Sequence, residues 1–158
     1  NMDGERANDA MAKDVYRSKA IAKLAQGTVN LIASANEHKG KGTCSRFGCE
    51  SCSSHRLIEA SVRSEILSPD SSGAVISPQH VFLKADGTVL LSVPYGISES
   101  ELEWCFLEAA ALADGKTTGE VRHSGRRPRR LVVGGVGGAE CGGGGRAGRL
   151  GQRGIVGI

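Results

Sequence analysis

Three cysteines and a histidine crowd one short stretch, Cys44-Ser-Arg-Phe-Gly-Cys49-Glu-Ser-Cys52-Ser-Ser-His55. These residue types allow three kinds of chemistry. Cys49 and Cys52 form a Cys-x-x-Cys pair, and at a helix start the positive end of the helix dipole favours a thiolate. Cys49 would then attack a disulfide and Cys52 would resolve the mixed intermediate, with Cys44 as an auxiliary thiol. The two cysteines carry both electrons, so this reading needs no cofactor, and its partners are protein thiols or disulfides. In the second reading Cys44, Cys49, Cys52 and His55 are a soft ligand set for zinc or another thiophilic ion, with His38 and His80 as substitutes. Cys52 and His55 are three residues apart and so share a helix face, but the stretch lacks the two well-separated ligand pairs of common zinc motifs. In the third, the cysteines are reduced, part-buried small apolar residues, or one pair is a structural disulfide. Redox chemistry leads, and the other two readings stay open.

The elements that must position this cluster are legible locally. Ala7 to Gln26 is rich in helix formers, and Ser18 before Lys19–Gln26, with Gly27 after, reads as N-cap, helix and C-cap. Thr28–Ser34 has the β-branched, apolar content of a buried strand, and Asn36–Thr43 is a loop. Ser53 or Ser54 is expected to cap a helix with Leu57, Ile58, Val62, Ile66 and Leu67 on one face, stopped by Pro69–Gly73. His80–Ala85 and Thr88–Val93 flank Asp86-Gly87, which favours the positive backbone angles of a tight hairpin. Ser98-Glu-Ser-Glu101 is a capping box that opens a helix from about Glu99 to Ala113, striped by Leu102, Cys105, Phe106 and Ala109. Cys105 reads as core, Trp104 and Tyr95 as packing anchors, and His80 as an ordinary strand histidine.

Composition divides the chain. Of 20 basic and 17 acidic residues, 11 and 15 precede residue 115, and nine and two follow, so a net −4 domain precedes a net +7 tail. Fifteen of the 23 glycines lie in those last 44 residues. The expected division is a domain over 1–114 and a Gly/Arg-rich disordered tail over 115–158, because so little apolar surface cannot offset the backbone entropy of ordering. Arg126–Arg130 resembles a phosphate-binding run, but the tail has no aromatic residue to stack on bases, so specific nucleic-acid recognition is not expected. Cys141 is read as an exposed thiol without a catalytic role. No apolar run approaches the roughly 18–20 residues of a membrane span, and glycine keeps no collagen period. Without a targeting segment the compartment stays at a cytoplasmic default, and the chain, opening on Asn1, is read as lacking its true N-terminus.

The order helix, strand, helix, strand, strand, helix carries a resemblance in its last three elements. Ile76-Ser-Pro78-Gln-His-Val-Phe-Leu-Lys-Ala-Asp86-Gly87, with Thr88–Val93 and Ser98–Leu102, resembles the C-terminal half of a thioredoxin-like domain. Pro78 matches the family's usually cis proline, Asp86-Gly87 its hairpin turn and Ser98 the cap of its closing helix. The resemblance implies an α/β fold over roughly Asp14 to Ala113: a mixed sheet with a C-terminal β-hairpin and closing helix. In one register Cys49 and Cys52 are the family's redox pair, with Pro78 packed beside them to shape the site. That register leaves ten residues, Ser68–Ser77, where the family has another strand and helix. In the other, Val15–Ser34 is similar to the stretch that leaves the first helix and enters the second strand. The family's cysteines would then fall upstream of Asp14, where this chain has none, and its first strand would be missing or only partly supplied. The second register is favoured. The implied function is a thiol–disulfide redox module using Cys49, Cys52 and Pro78. The alternative is a non-catalytic thioredoxin-like binding module with zinc or a structural disulfide at Cys44, Cys49, Cys52 and His55.

Overall fold

The computed structural model describes residues 6–33, 52–67, 71–72, 74–134 and 155–157 of the chain. Among these it is a mixed α/β structure with four helices. Helix α1 (Arg6–Ala10) runs on into a π-helical turn (Met11–Val15), and α2 (Lys19–Ala25) follows. Ser18 caps α2 as its sequence requires, its Oγ accepting from the amides of Ala20 and Ile21 at 3.2 and 3.4 Å. Strand β1 (Val29–Asn30) occupies only two residues of the stretch expected to be a strand.

Helix α3 (Cys52–Glu65) begins at Cys52, ahead of Ser53 and Ser54, so neither serine is its N-cap. Its inward face is also narrower than the apolar pattern implied. Val62 is buried, while Leu57 is 73% exposed. Five residues turn a helix by about 500°, which puts Leu57 well round the helix from Val62.

Strands β2 (Gln79–Lys84) and β3 (Val89–Pro94) form the expected antiparallel hairpin. Gly87 sits at φ +88° in its turn, and Asp86 Oδ1 accepts from the Thr88 amide at 2.9 Å. Both strands bury their four central residues. Alternate side chains leave opposite faces of a strand, so β2 is covered on both. Helix α4 (Glu99–Ala113) opens on the complete Ser98/Glu101 capping box. Its Leu102, Cys105 and Ala109 join Phe82, Leu91, Val93, Met11 and Ile21 in one core, where Phe82 and Phe106 meet edge to face at 5.1 Å.

Strand β4 (Val132–Val133) adds to β3, and β5 (Ile155–Gly157) lies between β1 and β2, giving the order β1-β5-β2-β3-β4. Among the described residues, only the β1–β5 pair is parallel. No helix among the described residues is long and apolar enough to cross a membrane.

The glycine- and arginine-rich region does not begin as an unstructured tail. Residues 115–134 fold back along α4, held by polar anchors that apolar content does not register. Glu108, 1% exposed, accepts from the Gly119 amide at 2.8 Å and meets His123 Nε2 at 2.7 Å. Arg126 Nη2 donates to Glu101 Oε1 at 3.0 Å, Arg127 stands 5.9 Å from the Trp104 ring centroid, and Arg130 lies 4.6 Å from that of Tyr95. Gly125 is required where it is: φ is +86°, and a Cβ there would collide with the Ser100 carbonyl and the Trp104 amide. The arginine run is thus partly consumed in internal contacts. Residues 135–154 and 158 lie outside the described residues.

Glu108→Ala tests this attachment. Leaving the Gly119 amide and His123 without their buried partner should cost about 3 kcal/mol in urea unfolding. A segment not held on α4 would give a change within about 0.5 kcal/mol.

Candidate functional site

A cavity of about 320 Å³ lies against β2, between α2, α3 and α4. Ser77, Pro78, Gln79, His80, Val81 and Phe82 line it from the β2 side, and Asn30–Ala33 from the β1 side. The helices contribute Ile21 and Ala25 from α2, Glu59 and Val62 from α3, and Leu102 and Phe106 from α4. The volume is at the lower end of the range of ligand pockets.

Its polar wall groups are largely paired among themselves. Tyr16 leaves part of its ring at the surface, 39% exposed, but turns its hydroxyl inward to share a 2.8 Å hydrogen bond with His80 Nε2. Asn8, buried in α1, exchanges two hydrogen bonds with Ser77 Oγ at 3.3 and 3.4 Å, tying the residue before Pro78 to the N-terminal helix. Gln79 Nε2 donates to Ser92 Oγ at 2.9 Å, and Glu59 is ion-paired with Arg63. His80 Nδ1 makes no hydrogen bond of good geometry among the described residues.

These surroundings keep His80 and Tyr16 uncharged. Burial lowers the His80 pKa from 6.5 to about 4, an effect that the backbone of Val93 across the ladder only partly offsets. Burial likewise raises the Tyr16 hydroxyl from 10.0 to about 12. Near neutral pH both groups are neutral, so neither is poised as a general acid or base.

The sequence-derived site residues fall as follows. Pro78 is buried, lines the cavity and follows a cis Ser77–Pro78 bond. Cys52 is the first residue of α3, and His55 follows within its first turn. Cys44 and Cys49 lie outside the described residues, as do the side chains of Cys52 and His55. The described residues contain no group of three or more His, Cys, Asp or Glu able to hold a metal. Cys105 is fully buried in the core, and burial, with Glu101 and Glu108 nearby, pushes its thiol up to about 12. That makes it a packing residue, and His80 is the strand histidine expected of it.

Tyr16, Asn8 and the cavity itself escaped sequence reasoning. Their contacts join residues 64 and 69 positions apart, and no local pattern encodes that pairing. Compared with models of known protein families, with curated proteins and with solved structures, the chain matches none.

The buried histidine has a pH signature. Between pH 6.5 and about 4 the unfolded chain holds the His80 proton and the folded chain does not, so stability is retained above 6.5 and lost as the pH falls through this window. Urea unfolding of wild type should lose up to about 3 kcal/mol more than His80→Gln over this window. Parallel pH profiles for the two proteins would rule out a buried neutral His80.

Proposed function

We propose that this chain is a non-catalytic thioredoxin-like binding module whose binding site is the cavity beside β2. The observation that carries this reading is the cavity's composition: mainly apolar walls, Glu59 engaged by Arg63, and His80 and Tyr16 held neutral. Such a surface favours uncharged, apolar matter.

The sheet order supports the thioredoxin-like part. The β2–β3 hairpin leads into the capped helix α4, β2 follows the cis Ser77–Pro78 bond, and β1 runs parallel to the strand beside β2. This agrees with the register in which Thr28–Ser34 corresponds to the family's second strand. Cys49 and Cys52 then belong to the connection and helix after it, away from the family's catalytic position. In this reading Cys44, Cys49, Cys52 and His55 hold zinc, or one cysteine pair is a structural disulfide.

One observation favours the redox alternative. Cys52 opens α3, a 14-residue helix, and a helix N-terminus favours a thiolate. In that alternative Cys49 attacks, Cys52 resolves and Pro78 shapes the site.

Metal analysis and free-thiol titration across a graded glutathione buffer, before and after chelation, separate the two. The binding module should show either stoichiometric metal that protects the thiols or thiols without a reversible two-electron couple. A reversible couple in metal-free protein, abolished by Cys49→Ser and accompanied by disulfide reductase turnover, would replace this reading with the redox one.

A further inference from the structure

None of Arg126–Arg130 lines the cavity, and the fold gives this basic run what the later sequence itself lacks, an aromatic surface. The run is fixed along its length. The Arg126 amide donates to the Ser100 carbonyl at 3.0 Å, Pro128 is buried, and beyond the run the Gly134 amide donates to the Leu90 carbonyl at 2.9 Å. The four arginines on either side of Pro128 are all exposed. Of the acidic residues on the adjoining turns of α4, Glu101 holds Arg126, and Glu103 accepts from Ser124 Oγ at 2.8 Å. Among the described residues, no carboxylate pairs with Arg127, Arg129 or Arg130.

Two of these three arginines lie over rings, Arg127 at 5.9 Å from the Trp104 centroid and Arg130 at 4.6 Å from that of Tyr95. A guanidinium on an aromatic face keeps its charge and its fork of N–H donors. Trp104 is buried, but Tyr95 is 45% exposed even with Arg130 over its ring. Tyr95 follows β3 at φ +69°, a backbone that a bulky side chain rarely adopts, and its amide donates to the Pro78 carbonyl at 2.7 Å. Charge and ring are thus both held in place before any partner arrives.

We propose that Arg127, Arg129, Arg130 and Tyr95 form a docking surface for single-stranded nucleic acid, which they bind through its phosphates and a stacked base without sequence preference. Three features select that occupant. Every cation of the run is an arginine, whose planar fork matches phosphate oxygens in pairs. Arg127 to Arg130 span at most about 10 Å of chain, so three positive charges lie along one short path, as a strand's phosphates do. The exposed Tyr95 ring with its guanidinium offers an unpaired base a stacking platform that is indifferent to which base it is. An acidic peptide or an anionic bilayer would use the charges and leave the ring idle.

The test uses the full chain and a fluorescein-labelled oligodeoxythymidylate of about 15 nucleotides, followed by fluorescence anisotropy. With three arginines on phosphates, binding should weaken by about 20-fold between about 50 and 200 mM salt. Arg129→Gln combined with Arg130→Gln should weaken it by about tenfold and flatten the salt dependence, while the thermal transition is retained. Arg146→Gln combined with Arg149→Gln, outside the described residues, should leave the affinity unchanged. An abasic strand of the same length keeps the phosphates and lacks the bases, so it should bind about fivefold more weakly or worse. That comparison is made on the unaltered chain and does not depend on how a variant folds. Absence of saturable binding, equal affinity for the abasic strand, or a loss that follows Arg146 and Arg149 instead of Arg129 and Arg130 would overturn the proposal. It would also fall if polyglutamate or phosphatidylserine vesicles bound as tightly as the oligonucleotide at the same salt, because the surface would then recognise negative charge alone.

Discussion

The structure depends on β2 being paired with β3 along one edge, paired with β5 along half of the other, and covered on both faces. Its ladder to β3 forms one edge and its ladder to β5 the other, and its four central residues are buried. The polar groups of a strand so enclosed demand partners. The surrounding elements can be understood as meeting that demand. Phe82 faces α4 and is held by Phe106. His80, on the same face two residues earlier, is buried as a neutral ring and satisfied through Nε2 by Tyr16. Pro78, just before the strand, starts it without a donor amide, and Asn8 fixes the preceding Ser77.

The cavity follows from the same arrangement. Strand β5 pairs with three of the six residues of β2, and the remaining three line the cavity, as do Leu31–Ala33. The helices close round this half of the strand with aliphatic and aromatic groups, and most of the few polar side chains there are hydrogen-bonded or ion-paired. The space is walled mainly by apolar side chains. Basic residues, which dominate the later sequence, take no part in it. Arg126, Arg127 and Arg130 pack instead on Glu101, Trp104 and Tyr95.

Features written in a few adjacent residues were legible in the sequence. Ser18 caps α2, Asp86-Gly87 turns the hairpin, Ser98 and Glu101 box the start of α4, and Cys105 is core, because each depends on backbone geometry or periodicity within one or two turns of chain. What depends on distant partners was not legible. Residues 115–134 look too poor in apolar surface to order, yet a buried Glu108 supplies hydrogen bonds that composition does not count. The cavity beside β2 arises only when α2, α3 and α4, distant from one another in sequence, close round the strand. The most conspicuous chemical signal, the cysteine cluster, is placed only at Cys52 and His55, in the first turn of α3.

Native-state hydrogen exchange resolved by residue tests most directly that β2 is the structural centre. The amides of Phe82 and Leu83 should be among the last to exchange, through global unfolding alone, while Leu31, Ile32 and Ala33, outside any strand, exchange through local opening. If β2 exchanged as readily as Leu31–Ala33, or if those three residues were as protected as β2, the account of a central strand beside a cavity would be wrong.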